Sequence, residues 1–165
     1  MYRTILLAYD GSRQGHEALD QGAELARLCQ ARVYLLAVVA HDLGVTLAEA
    51  AAPSNLPERE YQEVRQILVK AAEILLASGL PVESRLAVGN PAEEIGRLAR
   101  EVGAELIVVG HREQSTFGRW WGGSTGASLL AHAPCSLLIA VPGAPSEDRD
   151  GGGSARRPDR GRNHD

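Results

Sequence analysis

Aromatic residues are scarce in this chain, since phenylalanine, tryptophan and tyrosine together make up 4% of its 165 residues. Stacking on aromatic side chains is a main way in which proteins bind unpaired bases. Positive charge is also lacking, because the formal net charge at pH 7 is −4. A basic surface is the usual footprint of proteins that bind nucleic acid or anionic membranes. The composition therefore predicts neither a nucleic-acid nor a membrane partner.

Cysteines and long apolar runs are equally few. The two cysteines, Cys29 and Cys135, lie far apart and fit no metal-binding or redox spacing. A reduced, cytoplasmic location is the default for such a pair. The longest apolar run, Val33 to Ala40, is far shorter than the roughly 20 residues of a membrane-spanning helix. It is typical of a buried strand instead.

Five short apolar runs alternate along the chain with longer segments of helical periodicity. The runs contain mainly Ile, Leu, Val and Ala, which is typical of strands buried on both faces of a parallel sheet. With right-handed crossovers, this order predicts a doubly wound α/β fold, a five-stranded parallel sheet flanked by helices. The predicted strands are Thr4–Tyr9, Arg32–Val39, Val82–Val88, Glu105–Val109 and Ser136–Val141.

The composition changes sharply near residue 143. Ser146 to Asp165 contains five arginines, five acidic residues and a Gly-Gly-Gly-Ser stretch, without apolar periodicity. A segment of this kind buries too little apolar surface to order itself. We therefore predict one domain over residues 1–143 and a disordered C-terminal tail over residues 144–165.

The loop after the fourth predicted strand carries the most informative pattern. Gly110-His111-Arg112-Glu113 is followed, nine residues later, by Gly123-Ser124-Thr125 at the start of a helical segment. The first N–H groups of a helix have no intrahelical partner, and the helix dipole adds positive potential there. Gly123 lets the backbone approach an anion, and the next two residues supply hydroxyl donors. The pattern is typical of a phosphate-binding loop.

The other candidate residues also follow strands. Ligands of doubly wound sheets bind beyond the carboxyl ends of the strands, where the strand order reverses, and Asp10 and Gly89 lie at that edge. Asp10-Gly11-Ser12 is also good turn chemistry. We expect Ser12 to cap the first helix, which leaves Asp10 for a ligand. In the third helix Asn90 suits the N-cap and Gly103 the C-terminal cap.

Five segments form a recognisable series along the chain: Ile5–Ser12, Val88–Ile95, Ala104–Arg112, Gly123–Thr125 and His132–Val141. In order and spacing they resemble the universal stress protein family in its single-domain form. The resemblance covers residues 1 to about 142. It implies a Rossmann-like, adenine nucleotide alpha hydrolase-like sheet, and a homodimer paired through the last strand, Ser136 to Val141.

The resemblance also implies an adenine-nucleotide site. Ala8 and Val38 match contacts around adenine, Asp10 matches the acidic residue on the ribose and adenine side, and Gly89 matches a glycine that lets its loop approach the nucleotide. The ligand would be ATP or another adenine nucleotide, with Mg²⁺ as a possible companion. The implied cofactor-binding residues are Ala8, Tyr9, Asp10, Val38, Gly89, Gly110, His111, Arg112, Glu113, Gly123, Ser124 and Thr125.

Glu113 departs from the family pattern, in which ATP-binding members carry Gly-x2-Gly-x9-Gly followed by Ser or Thr. Gly110 and Gly123 match the first and third glycines, and Glu113 stands at the second. A carboxylate directed at the phosphates would repel them, whereas a bound Mg²⁺ could take it as a ligand. A side chain directed to water would cost only backbone flexibility.

Two hypotheses follow. The first is a non-enzymatic stress-response protein that binds an adenine nucleotide, because no residue set resembles a dedicated base, nucleophile or metal site. The second is a nucleotide-independent dimeric interaction module, in which Glu113 marks a degenerate phosphate loop. An ATP-using enzyme would need a base near Gly110–Gly123, where Glu113 is the one candidate, and its place among the phosphates argues against that role.

Replacing Glu113 by glycine distinguishes these hypotheses. If its carboxylate opposes the phosphates, Glu113→Gly should strengthen ATP binding, by at most the roughly 4 kcal/mol that unit charges about 4 Å apart experience at an effective dielectric near 20. Calorimetric titration of both proteins with ATP measures the change. Equal affinities would contradict the repulsion, and a lack of binding in both proteins would favour the interaction module.

Overall fold

A computed structural model describes residues 1–40, 56–111, 129 and 131–141 of the chain. Strands and helices alternate through these residues, and Leu129, Ala131 and His132 are helical. In chain order the elements are β1 (Thr4–Ala8), α1 (Arg13–Cys29), β2 (Arg32–Ala40), α2 (Leu56–Ala77), β3 (Val82–Gly89), α3 (Pro91–Val102), β4 (Leu106–Gly110) and β5 (Ser136–Ala140).

The five strands form one parallel sheet in the order β3-β2-β1-β4-β5. The predicted α/β fold is therefore confirmed, and each predicted strand boundary lies within one residue of the observed one. Strand β1 is central, with β2 on one side and β4 on the other. The strand order reverses between β1 and β4, which is where a doubly wound sheet opens a crevice.

Both faces of the sheet are covered by apolar layers, because successive residues of a strand point to opposite faces. On one face, Leu7 and Val108 of the sheet belong to a buried cluster with residues of α1 and α2. On the other face, Leu6 and Ile107 belong to a second cluster, which includes Ile95 of α3 and Leu129. This double burial explains why the central strands are continuously apolar.

Local capping sets the ends of the helices as the sequence predicts. Ser12 Oγ accepts a hydrogen bond from the Gly15 N–H at 3.0 Å at the start of α1. Asn90 Oδ1 caps α3 by accepting the Ala92 N–H at 3.0 Å. Gly103 ends α3 with a φ of 62°, a conformation that favours glycine.

The two cysteines pack beside the sheet without forming a disulfide. Cys29 and Cys135 are both free and half-buried. They belong to the packing on opposite faces of the sheet, Cys29 with α1 and α2 and Cys135 with α3.

Within the described ranges, the helices are too short or too polar for any of them to cross a membrane.

Candidate functional site

The crevice between β1 and β4 brings together the loops that begin at Tyr9 and at Gly110. The register pairs Leu7 with Val108, so its continuation places Tyr9 beside Gly110. The first residue of each loop still forms a backbone hydrogen bond with the strand on the outer side, β2 or β5. The Tyr9 N–H donates to the Leu36 carbonyl at 2.8 Å, and the His111 N–H donates to the Ala140 carbonyl at 2.8 Å.

Two of the predicted adenine contacts lie on the same face of the sheet. Ala8 of β1 and Val38 of β2 are 7% and 8% exposed and belong to one apolar cluster with Val109 of β4. Both side chains are small or branched and carry no polar atom. The structure thus brings these predicted residues together as an apolar surface on the α3 side of the crevice.

Tyr9 points to the opposite face. Its ring belongs to the cluster of α1 and α2, and its hydroxyl lies 2.8 Å from His16 Nε2. The two rings meet edge to face with centroids 5.3 Å apart. Burial, followed by the negative charges of Asp10 and Asp20, raises the pKa of the Tyr9 phenol above its usual 10.0. The phenol therefore stays protonated, and its side chain lies away from Ala8 and Val38.

Asp10 is part of the turn that begins α1. Its Oδ1 accepts the Ser12 N–H at 2.9 Å and the Ser12 hydroxyl at 2.6 Å. Ser12 caps the helix as predicted, and Asp10, which the sequence analysis left for a ligand, also takes part in the turn. An aspartate carboxylate commonly accepts a hydrogen bond from the backbone N–H two residues later, so cap and carboxylate share one hydrogen-bonded unit.

Gly15 is a site residue that sequence reasoning missed. A Cβ at this buried position would lie 2.5 Å from Asp10 Oδ1 and 3.4 Å from the Tyr9 ring. Any larger residue would therefore displace the Asp10 carboxylate. The signal was present in the sequence, because glycine is a poor helix former and stands here in the first turn of a helix.

Gly110, the first glycine of the predicted phosphate loop, has a packing role. A Cβ there would collide with the backbone of α1, at 2.6 Å from the carbonyl carbon of Gln14 and 3.0 Å from the amide nitrogen of Gly15. Neither atom can move without shifting the first helical turn. Close approach of α1 to β4 therefore accounts for glycine at this position, whether or not a phosphate binds nearby.

Gly89 ends β3 at the same edge of the sheet. Its φ of 148° favours glycine, and an added Cβ would meet Glu94 Cγ at 3.4 Å. The Glu94 carboxylate forms an ion pair with Arg97 at 2.5 Å. The N-terminus of α3, capped by Asn90, follows directly, so the Gly89 loop presents a second helix N-terminus at this edge.

The rest of the predicted phosphate loop lies outside the described residues. The undescribed loop residues include Arg112, Glu113, Gly123, Ser124 and Thr125. The predicted tail over residues 144–165 also lies outside the described residues. His111 is the last described residue of that loop and is half-buried. Over the described ranges, no group of three or more His, Cys, Asp or Glu side chains could hold a metal ion.

A family model described as the universal stress protein family matches residues 1–141. The chain belongs to the universal stress protein family. A curated universal stress protein, YxiE of Bacillus subtilis, is 33% identical to it over 147 residues and is matched over 99% of its length, with 84% of this chain covered.

Solved universal stress proteins share the fold. A family member from Burkholderia pseudomallei is 33% identical, with a TM-score of 0.66 over 84% of this chain and 95% of that one. A universal stress protein in complex with cAMP is 26% identical, with a TM-score of 0.63 over 84% of this chain and 96% of that one. The α/β sheet described above is thus the sheet of this family.

The packing role of Gly110 makes a prediction for this universal stress protein. Gly110→Ala should lower the free energy of unfolding by about 1–3 kcal/mol, because overpacking displaces the backbone of α1. Urea unfolding followed by circular dichroism measures the change.

Gly96→Ala in α3 provides the matched control. Among described residues, the atoms nearest to a Cβ at Gly96 are guanidinium nitrogens of Arg100, at 3.5 and 3.8 Å. Because alanine favours a helix over glycine by about 1 kcal/mol, this variant should unfold at a higher urea concentration. A Gly110→Ala protein as stable as the parent would contradict the proposed packing constraint.

Proposed function

We propose that this universal stress protein binds an adenine nucleotide, ATP or a form with fewer phosphates, in the crevice between β1 and β4. The observation that carries the proposal is the Asp10 carboxylate, held by Ser12 at the end of the strand that contributes Ala8 to an apolar surface. A carboxylate only accepts hydrogen bonds. A nucleotide offers donors at its ribose hydroxyls and adenine amino group, and a phosphate anion offers none.

Because only the nucleoside end of the ligand offers hydrogen-bond donors, the Asp10 carboxylate sets the direction of the ligand in the crevice. The nucleoside end lies toward Asp10, with adenine against the apolar surface of Ala8 and Val38 and close to the Gly89 loop. The phosphates extend toward Gly110 and the loop that follows it. His111 and Arg112 of this loop are expected to reach them, with or without Mg²⁺. The cAMP complex of a relative that is 26% identical supports an adenine nucleotide as the ligand class.

The proposed role is regulatory and not enzymatic. The His16 ring, the described imidazole nearest to Asp10 in the chain, contacts the Ser12 carbonyl through Nδ1 and the Tyr9 hydroxyl through Nε2, each at 2.8 Å. The Ser12 hydroxyl donates to Asp10 and accepts from Gly15. These contacts give both side chains a structural role in the turn and in the helix cap. Two free thiols support a reducing, cytoplasmic location.

Calorimetric titration with AMP, cAMP and Mg²⁺-ATP tests the binding, on protein shown to be free of carried-over nucleotide. We expect at least one of them to bind with a micromolar Kd, about −8 kcal/mol. Asp10→Ala should weaken that binding about tenfold or more, because a hydrogen bond to a charged group contributes about 1.5–3 kcal/mol.

Glu24→Ala is the control for Asp10→Ala, since Glu24 is an exposed carboxylate on α1 and should not affect affinity. Unchanged affinity in Asp10→Ala would remove the assignment of the nucleoside end. If none of the three nucleotides binds at millimolar concentration, the proposed function is wrong, and the nucleotide-independent interaction module takes its place.

We also place a homodimer interface at β5, which is the edge strand beside β4 in the described sheet. Leu137, Leu138 and Ile139 are only half-buried, and Val141 is 57% exposed. The opposite edge strand, β3, is protected by exposed charge, with Arg85 paired to Glu83. Because an uncovered apolar edge promotes association, β5 is the edge that suits a second copy.

A pair of matched substitutions tests this interface. Val141→Arg should shift the protein from dimer to monomer, since it places a charge at the end of the apolar edge. Val88→Arg makes the same change at the end of β3, where Val88 is 51% exposed, and should leave the dimer intact. Sedimentation velocity measures both, and a parent protein that is monomeric at micromolar concentration would disprove the dimer.

A further inference from the structure

The N–H and hydroxyl of Ser12 make three hydrogen bonds at the start of α1, and two of them hold Asp10. Its N–H and its hydroxyl both donate to Asp10 Oδ1, at 2.9 and 2.6 Å. The same hydroxyl oxygen accepts the Gly15 N–H at 3.0 Å. One short side chain therefore caps the helix and fixes the direction of a carboxylate at the edge of the crevice.

The backbone of this turn is held in place by His16. Its Nδ1 lies 2.8 Å from the Ser12 carbonyl, which can only accept, so Nδ1 carries the proton. Its Nε2 lies 2.8 Å from the Tyr9 hydroxyl, at hydrogen-bond distance. The imidazole thus connects Tyr9 and Ser12, the residues on either side of Asp10 and Gly11, and opposes movement of the turn between them.

Space around the carboxylate is restricted as well. Gly11 has a φ of 74°, and a Cβ there would meet Ile67 of α2 at 2.9 Å. A Cβ at Gly15 would meet Asp10 Oδ1 at 2.5 Å. The carboxylate therefore occupies space that Gly15 leaves open, and its rotamer depends on the donors that Ser12 supplies.

We infer that Ser12 is a positioning residue of the nucleotide site, because its hydroxyl and amide orient the Asp10 carboxylate toward the ribose hydroxyls of the ligand. The inference rests on the proposed function. A carboxylate that is already oriented loses little side-chain freedom when a ligand arrives, so more of the hydrogen-bond energy contributes to affinity. The oriented carboxylate also accepts from a ribose hydroxyl at a defined position, so a ligand that lacks this hydroxyl should bind more weakly.

Three substitutions at Ser12 separate positioning from helix capping. Ser12→Thr retains the hydroxyl and is the conservative control. Ser12→Asp retains a good N-cap but replaces the hydroxyl donor with a second carboxylate, and Ser12→Gly removes the hydroxyl donor while weakening a cap only slightly; both variants keep the N–H at position 12. The ligands are AMP, 2′-deoxy-AMP and 3′-deoxy-AMP, titrated calorimetrically, with the melting temperature of each variant measured in parallel.

We expect the parent and Ser12→Thr to bind AMP within about threefold of each other and more tightly than at least one deoxy analogue. Ser12→Asp and Ser12→Gly should bind AMP about tenfold more weakly, the factor that corresponds to 1.4 kcal/mol, and should lose the preference for ribose. A purely structural role would weaken all three ligands equally. That result, or unchanged AMP binding in both variants, would overturn the inference.

A measurement without ligand separates this inference from the proposed function. The side-chain carboxyl ¹³C resonance of Asp10 should move in Ser12→Gly and stay in place in Ser12→Thr. If the parent binds no nucleotide, the proposed function fails, and the resonance still reports whether Ser12 holds the carboxylate. A resonance that is unmoved in Ser12→Gly overturns the positioning role in either case.

Discussion

The structure of this site depends on the close approach of two backbones, the first turn of α1 and the end of β4. Only glycine at position 110 permits it, because a Cβ would occupy the space of the Gln14 carbonyl. This contact sets where α1 begins relative to the crevice. The Asp10 turn, the Ser12 cap and the Tyr9–His16 contact all belong to that first turn or the loop before it, so their positions depend on the same approach.

The physical chemistry of that turn connects stability with the proposed binding. The hydrogen bonds that start the helix also hold the acidic side chain offered to the ligand. Because the helix must form for the domain to fold, the carboxylate is oriented before any nucleotide arrives. The opposite side of β1 supplies the apolar complement, since Ala8 points to the α3 face while Tyr9 points to the α1 face. Strand alternation therefore separates the proposed binding surface from a supporting one.

Most of the fold could be predicted from the sequence, because its signals are local. Apolar runs located the five strands, and capping residues such as Ser12, Asn90 and Gly103 marked helix ends correctly. Less of the site could be predicted. Motif spacing led to Gly110 and Asp10, and turn chemistry indicated the turn from Asp10 to Ser12, but no local pattern indicated that Gly110 packs on α1. Gly15 was marked only as a glycine in the first turn of a helix, and His16 belonged to no motif.

By itself, the sequence determined the order of strands and helices, the parallel character of the sheet and membership in a family, since periodicity and spacing survive without knowledge of distant contacts. The tertiary structure alone decided the rest. It directed the Tyr9 side chain away from the crevice, gave Gly110 its packing role and enclosed Asp10 between Ser12 and Gly15. The physical reason is that these outcomes depend on atoms brought together by folding. Gly110 and Tyr9 meet atoms from elsewhere in the chain, and the Asp10 contacts depend on the exact conformation of one turn, which periodicity and spacing do not report.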